Sequence, residues 1–114
     1  MKQLKAESID NRQDVMRRGA DALDDLRSRV GRVYVHLDLD VLDAEKVGMA
    51  NEYAIRGGMD AGQLEEALGM VRERFTVAAA GIASYDPSFD TDGRVLRAAT
   101  AGARILTSPT TPTD

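Results

Sequence analysis

Three aspartates, Asp38, Asp40 and Asp43, stand at and just past the end of the largely apolar run Arg32-Val33-Tyr34-Val35-His36-Leu37-Asp38-Leu39. In an extended strand, residues two apart point to the same side. The pattern therefore predicts paired carboxylates from Asp38 and Asp40 on one face, with Leu37, Leu39 and Val41 packed to the other. Two carboxylates that close repel each other, and their charge is tolerable when a divalent cation sits between them. The chain has no Cys and one His, so the donors are hard oxygens, which suit Mg²⁺ or Mn²⁺ better than Zn²⁺. Asp38 and Asp40 are the candidate metal ligands. The bland alternative is that these acids cap the strand end, accepting from loop amides or pairing with Arg56. Asp43 lies past the strand, where a turn role and a metal role are both open. His36 shares a face with Asp38 and could serve as a ligand or acid-base group. A lone His in a buried strand is more often a satisfied core residue, and that is the expectation here.

The elements that must position these acids can be read from periodicity. Val15, Ala22, Leu23, Leu26 and Val30 recur at helical spacing, predicting an amphipathic helix over Asp10–Arg29, capped by Ser8 or Asp10 and stopped by Gly31. Arg32 to Leu39 reads as a strand buried on both faces, as parallel strands are. Val41 to Met59 has no period and carries Gly48, Gly57 and Gly58, so it is a long loop, functional or mobile. Asp60 and Gln63 have the spacing of a capping box ahead of Leu64, Ala67, Leu68, Val71 and Phe75. Phe75 to Ser84 is a second apolar run and a second buried strand. Val95, Ala98, Ala99, Gly102, Ile105 and Leu106 form the last helical stripe. Strand, helix, strand, helix predicts an α/β fold with a parallel sheet. Ligands of such sheets bind beyond the carboxyl ends of the strands, where Asp38 and Asp40 emerge.

Composition narrows the classes. The 114 residues carry 15 Lys+Arg against 19 Asp+Glu, a net charge of -4 with no basic cluster, which argues against nucleic acid as a partner. The apolar runs are far short of the ~20 residues of a membrane span, and the first residues lack the apolar core of a secretory signal. Without Cys there are no disulfides, and a cytoplasmic protein is the default expectation.

The run Val35-His36-Leu37-Asp38-Leu39-Asp40-Val41-Leu42-Asp43 resembles the signature of the ureohydrolases, the arginase and agmatinase superfamily, in which an apolar strand ends in D-x-D followed by D-P. Arg56-Gly57-Gly58-Met59 resembles that family's Gly-Gly-apolar segment, and Gly81-Ile82-Ala83-Ser84-Tyr85-Asp86-Pro87 its late strand ending in E-x-N-P. The order and spacing of all three agree over roughly Asp14 to Leu106. The resemblance implies that residues 1–107 are the C-terminal part of a three-layer α/β/α domain, followed by a disordered polar tail at 108–114. It further implies hydrolysis of a C–N bond in a guanidino or amidino compound, with water activated by a pair of Mn²⁺ ions. Asp38 and Asp40 would be the metal ligands contributed by this half, and Asp38 the bridging one.

Four departures shape that reading. The family's G-G-D-H and D-A-H-x-D segments, which carry the other ligands, are absent from this sequence, so the chain alone should not hold a complete binuclear site and contributes no catalytic residue of its own. Ser84 stands where arginase-like members place the acid that faces the guanidinium, which implies a divergent substrate contacted by Ser84 and Asp86. Asp86 replaces an Asn, and its carboxylate either partly compensates for the missing acid or forms an Asp-Pro turn. Ala44 replaces a Pro, which changes loop stiffness. The chain is expected to be a truncated or split C-terminal half. Two other readings remain at this level. One is a haloacid-dehalogenase-like phosphotransferase with Asp38 as nucleophile and Asp40 as general acid. The other is a non-catalytic assembly fragment whose helix faces, chiefly Leu64, Leu68, Val71, Val95 and Ile105, pack against copies of itself as a homo-oligomer or against a missing N-terminal half.

Overall fold

A computed structural model of the chain describes residues 2–108, with side chains from residue 13 onward. The elements run α1 (Lys2–Arg27), β1 (Arg32–Asp38), a 3-10 turn (Leu39–Val41), α2 (Ala61–Arg74), β2 (Thr76–Ala83) and α3 (Arg94–Thr107). Most of the expected disordered tail, 109–114, lies outside the described residues. Helix α1 starts well before Asp10, so Ser8 and Asp10 lie inside it and not at its cap.

β1 and β2 pair in parallel, from Arg32 against Thr76 to Asp38 against Ala83, with an irregularity between Val33 and Tyr34 that passes over Ala78. Helix α2 makes the crossover. Asp60 accepts from the Gln63 amide at 2.8 Å while the Gln63 side chain accepts from the Asp60 amide at 3.0 Å, completing the predicted capping box. Phe75 ends α2 and is buried, so the second strand starts one residue later than its apolar run suggested.

The core lies between one face of the sheet and helices α2 and α3. Leu37, Leu39, Leu42, Leu64, Leu68, Val95, Ala98, Ala99 and Leu106 pack together, joined by Val47 and Ala50 of the long loop. The α3 stripe predicted from periodicity is the face it buries, with Ile105 at its margin. Gly102 lets α2 approach closely, since a Cβ there would stand 2.9 Å from Leu68 Cδ1.

The expectation of strands buried on both faces is not met. Tyr34 is 62% exposed, and His36 and Ala78 to Ala80 are also open to solvent. The described residues supply helices to one side of a two-stranded sheet, and apolar strand composition cannot by itself cover the other side. His36 is accordingly a surface residue and not the core residue expected of it.

The loop Val41–Met59 is ordered by its own hydrogen bonds. Leu42 and Met59 form a parallel bridge, with Met59 N donating to Val41 O at 2.7 Å and Asp43 N to Met59 O at 2.8 Å. The glycines permit this. Gly57 adopts φ +99°, and a Cβ on Gly58 would lie 2.3 Å from Val41 O. No helix among the described residues is long and apolar enough to cross a membrane.

Candidate metal centre

β1 ends at Asp38 because the Asp38 side chain caps the adjoining turn. Its Oδ1 accepts from the Asp40 amide at 3.0 Å, bending the chain into the 3-10 turn. Asp40 therefore does not continue the strand alternation, and its carboxylate reaches the rim from a turn instead of from the same pleat. The Asp40 amide, the Ser84 hydroxyl and, more weakly, His36 hold the Asp38 carboxyl below the ordinary Asp range, against an upward push from partial desolvation. Asp38 is thus ionised at neutral pH.

Ser84 follows β2 directly, one residue past Ala83, the register partner of Asp38. Among the described residues it is the one non-glycine with positive φ, at +71°, a conformation that costs free energy and is found disproportionately at functional sites. Asn51, in the long loop, joins this rim. Its Nδ2 donates to Asp40 Oδ1 at 2.7 Å and to Ser84 O at 2.8 Å, and its Oδ1 accepts from Tyr53 N at 2.8 Å. A second tie runs from the Asp86 amide to Ala50 O at 2.7 Å. Asp38, Asp40 and Ser84, picked out from sequence, are brought together. Asn51 was not foreseen. Its turn with Tyr53 is the kind an Asn signals locally, but its partner Ser84 lies 33 residues away.

The other acids have structural work. Asp43 is buried and accepts from Glu45 N, Lys46 N and Gly57 N, so of its two possible roles the loop-organising one is realised. The Lys46 and Gly57 amides, then that of Glu45 and the Lys46 charge, lower its pKa against desolvation. Arg56 pairs with Glu45 at 3.7 Å and with none of the three aspartates. Asp86 accepts from both the hydroxyl and the amide of Ser88, which lower its pKa, so its Oδ1 is engaged in the Asp-Pro turn. Asp90 is buried and caps α3 from outside the helix, accepting from Val95 N at 3.1 Å, Leu96 N at 2.9 Å and the Tyr85 hydroxyl at 2.8 Å.

Carboxylate oxygens at this rim are the right donors for Mn²⁺ or Mg²⁺. Among the described residues no group of three or more His, Cys, Asp or Glu capable of holding a metal is assembled.

Residues 1–109 match the sequence profile of the Arginase family. The chain belongs to the arginase family. Solved arginases carry its fold. The enzyme from Bacillus caldovelox superposes with a TM-score of 0.71 at 22% identity, over 85% of this chain and 32% of its own. That from Bacillus subtilis gives 0.71 at 20% identity, over 85% of this chain and 33% of its own. A proclavaminate amidino hydrolase from Streptomyces clavuligerus gives 0.63 at 24% identity, over 75% and 29%. The chain thus spans about a third of the length of the arginases it matches. No curated protein matches it. Membership in the arginase family displaces the phosphotransferase reading, in which Asp38 would have been a nucleophile.

Proposed function

We propose that this chain supplies the D-x-D part of a manganese-dependent ureohydrolase centre, with the remaining metal ligands coming from outside these 114 residues. The observation that carries the reading is the meeting of Asp38, Asp40 and Ser84 on one rim beyond the strand ends, in a chain of the arginase family. Asp38 and Asp40 would hold the cations. When bound, a Mn²⁺ pair supplies Lewis acidity and lowers the pKa of water to the range where it is a nucleophile near neutral pH. Ser84 would offer a hydroxyl to the substrate, and Asp86, two residues on, would stand at the edge of the same rim. The substrate class is a guanidino or amidino compound that loses a C–N bond. The neutral Ser84 favours one whose recognition does not depend on an acid at that position.

Two carboxylates cannot fill two coordination spheres, so the 114 residues alone are expected to be inactive and to bind Mn²⁺ weakly unless copies or a partner chain complete the site. Apolar surface left open on the sheet favours a homo-oligomer, and a chain without Cys suits a cytoplasmic setting. The test is a calorimetric titration with Mn²⁺ of the chain and of the double variant Asp38→Asn/Asp40→Asn, followed by an ammonia- and urea-release assay. Saturable heats lost in the double variant are expected. Identical heats in the two proteins would overturn the assignment of these ligands.

A further inference from the structure

We infer that Asn51 is a positioning residue for the carboxylate pair, an inference that rests on the proposed metal role of Asp38 and Asp40. Its side-chain amide has two N–H groups and both are committed, one to Asp40 Oδ1 at 2.7 Å and one to Ser84 O at 2.8 Å. The orientation of the amide is set by chemistry, because its other end faces a donor, the Tyr53 amide, at 2.8 Å. Asp40 stands exposed on a 3-10 turn, where a carboxylate would otherwise sample several rotamers. The bond from Asn51 fixes one of its oxygens and so sets the direction of the other.

The second bond acts on Asp38 through Ser84. Ser84 has φ +71°, and Asn51 holds its carbonyl in that turned position. The same residue directly follows Ala83, which pairs with Asp38 across the two strands. One loop side chain therefore orients Asp40 directly and holds the backbone beside Asp38 by way of Ser84, tying both strand ends to the long loop. A divalent cation is bound tightly by carboxylates already aimed at it, and outer-shell partners that aim ligands commonly contribute about 10–100-fold to affinity.

A purely structural Asn51 would serve only the turn at Tyr53. An Asp at this position keeps size and the acceptor for Tyr53 N but cannot donate to Asp40 or Ser84. The experiment uses the full isotope-labelled chain in solution, first without metal. Expected in the wild type are couplings across the hydrogen bonds from Asn51 Nδ2 to Asp40 Cγ and Ser84 C′, and a single Asp40 χ1 rotamer that becomes averaged in Asn51→Ala and Asn51→Asp. An Asp40 rotamer equally averaged in all three proteins, or unchanged in both variants, overturns the inference, and Asn51→Asp serves if Asn51→Ala fails to fold. Mn²⁺ is then added in small amounts and its relaxation of nearby amides is mapped. About 10-fold weaker apparent affinity at Asp38 and Asp40 in Asn51→Ala is expected. Equal affinity in Asn51→Ala overturns the positioning role while leaving the metal assignment intact. No localised relaxation at Asp38 and Asp40 in the wild type overturns the metal assignment itself, and the metal-free rotamer result then decides Asn51 alone.

Discussion

Replacing Gly58 by Ala should unfasten the neck of the long loop. The added Cβ would lie 2.3 Å from Val41 O, 2.9 Å from Leu42 C and 3.0 Å from Asp43 N, all of them backbone atoms that cannot swing aside. Relief requires moving one side of the Leu42–Met59 bridge by most of an ångström, which breaks the bonds from Met59 N to Val41 O and from Asp43 N to Met59 O. At about 1 kcal/mol net for each bond, plus the residual strain of overpacking, the loss is about 2–3 kcal/mol. For a domain of this size that lowers the thermal midpoint by roughly 10 °C or more. The control is Gly69→Ala, inside α2, where a Cβ meets nothing within 4 Å. There the helix gains about 0.5–1 kcal/mol from the change. Urea and thermal unfolding of both variants beside the wild type checks the pair. A Gly58→Ala protein within about 0.5 kcal/mol of the wild type would refute the claim that the backbone contact, and not glycine's flexibility, is what the position requires.

Asp90→Ala removes the acceptor for two amides at the start of α3 and should cost about 1–2 kcal/mol. Burial pushes the Asp90 carboxyl up, but the Tyr85 hydroxyl, the Leu96 and Val95 amides and the Arg97 charge outweigh it and leave the pKa lowered. A lowered folded pKa gives stability that is present above the unfolded value of about 3.9 and is lost as pH falls through the folded one. The gap between wild type and Asp90→Ala, read from urea midpoints, should therefore close in acid; a gap constant with pH would contradict this. Gly102→Ala should cost about 1–3 kcal/mol despite its helical position, because the Cβ collides with Leu68. Combining it with Leu68→Ala, itself costing about 2–5 kcal/mol, should lose less than the sum of the two, as a double-mutant cycle would show. Ser84→Gly should be more stable than Ser84→Ala by about 1 kcal/mol in chemical denaturation, since both lose the hydroxyl but only Ala keeps the strained backbone.

What the sequence made legible was the local part of the molecule. The Asp60–Gln63 box and the stripe from Val95 to Leu106 use contacts within one helix turn, so their spacing is their structure. The parallel pairing of β1 with β2 followed from strand, helix, strand order. The rim was half legible. A D-x-D after an apolar run has the same spacing whether the strand continues or stops, and what stops it is Asp38 capping the Asp40 amide, a bond that leaves no mark on periodicity. The solvent exposure of Tyr34 and His36 was hidden for a different reason. Their composition suits a sheet covered on both faces, whereas the described chain covers one. Asn51 and the backbone turn of Ser84 depend on a contact between segments far apart in sequence, and no short-range pattern encodes it.

The clasp between Leu42 and Met59 closes the neck of a loop that is anchored inside as well, by Val47 and Ala50 in the core and by Asn51 at the rim. Below it lie Asp38 and Asp40, and inside it the bond from Ala44 N to Ile55 O, at 3.0 Å, closes the loop on itself. Tyr53 and Ile55, 76% and 72% exposed, project from the tip. A loop built this way is modular. Side chains can be exchanged at Tyr53 and Ile55, altering what the tip touches, while the clasp and Asn51 keep the backbone and the carboxylates where they are. Variation in what approaches the rim can therefore accumulate in the tip without disturbing the groups beneath it.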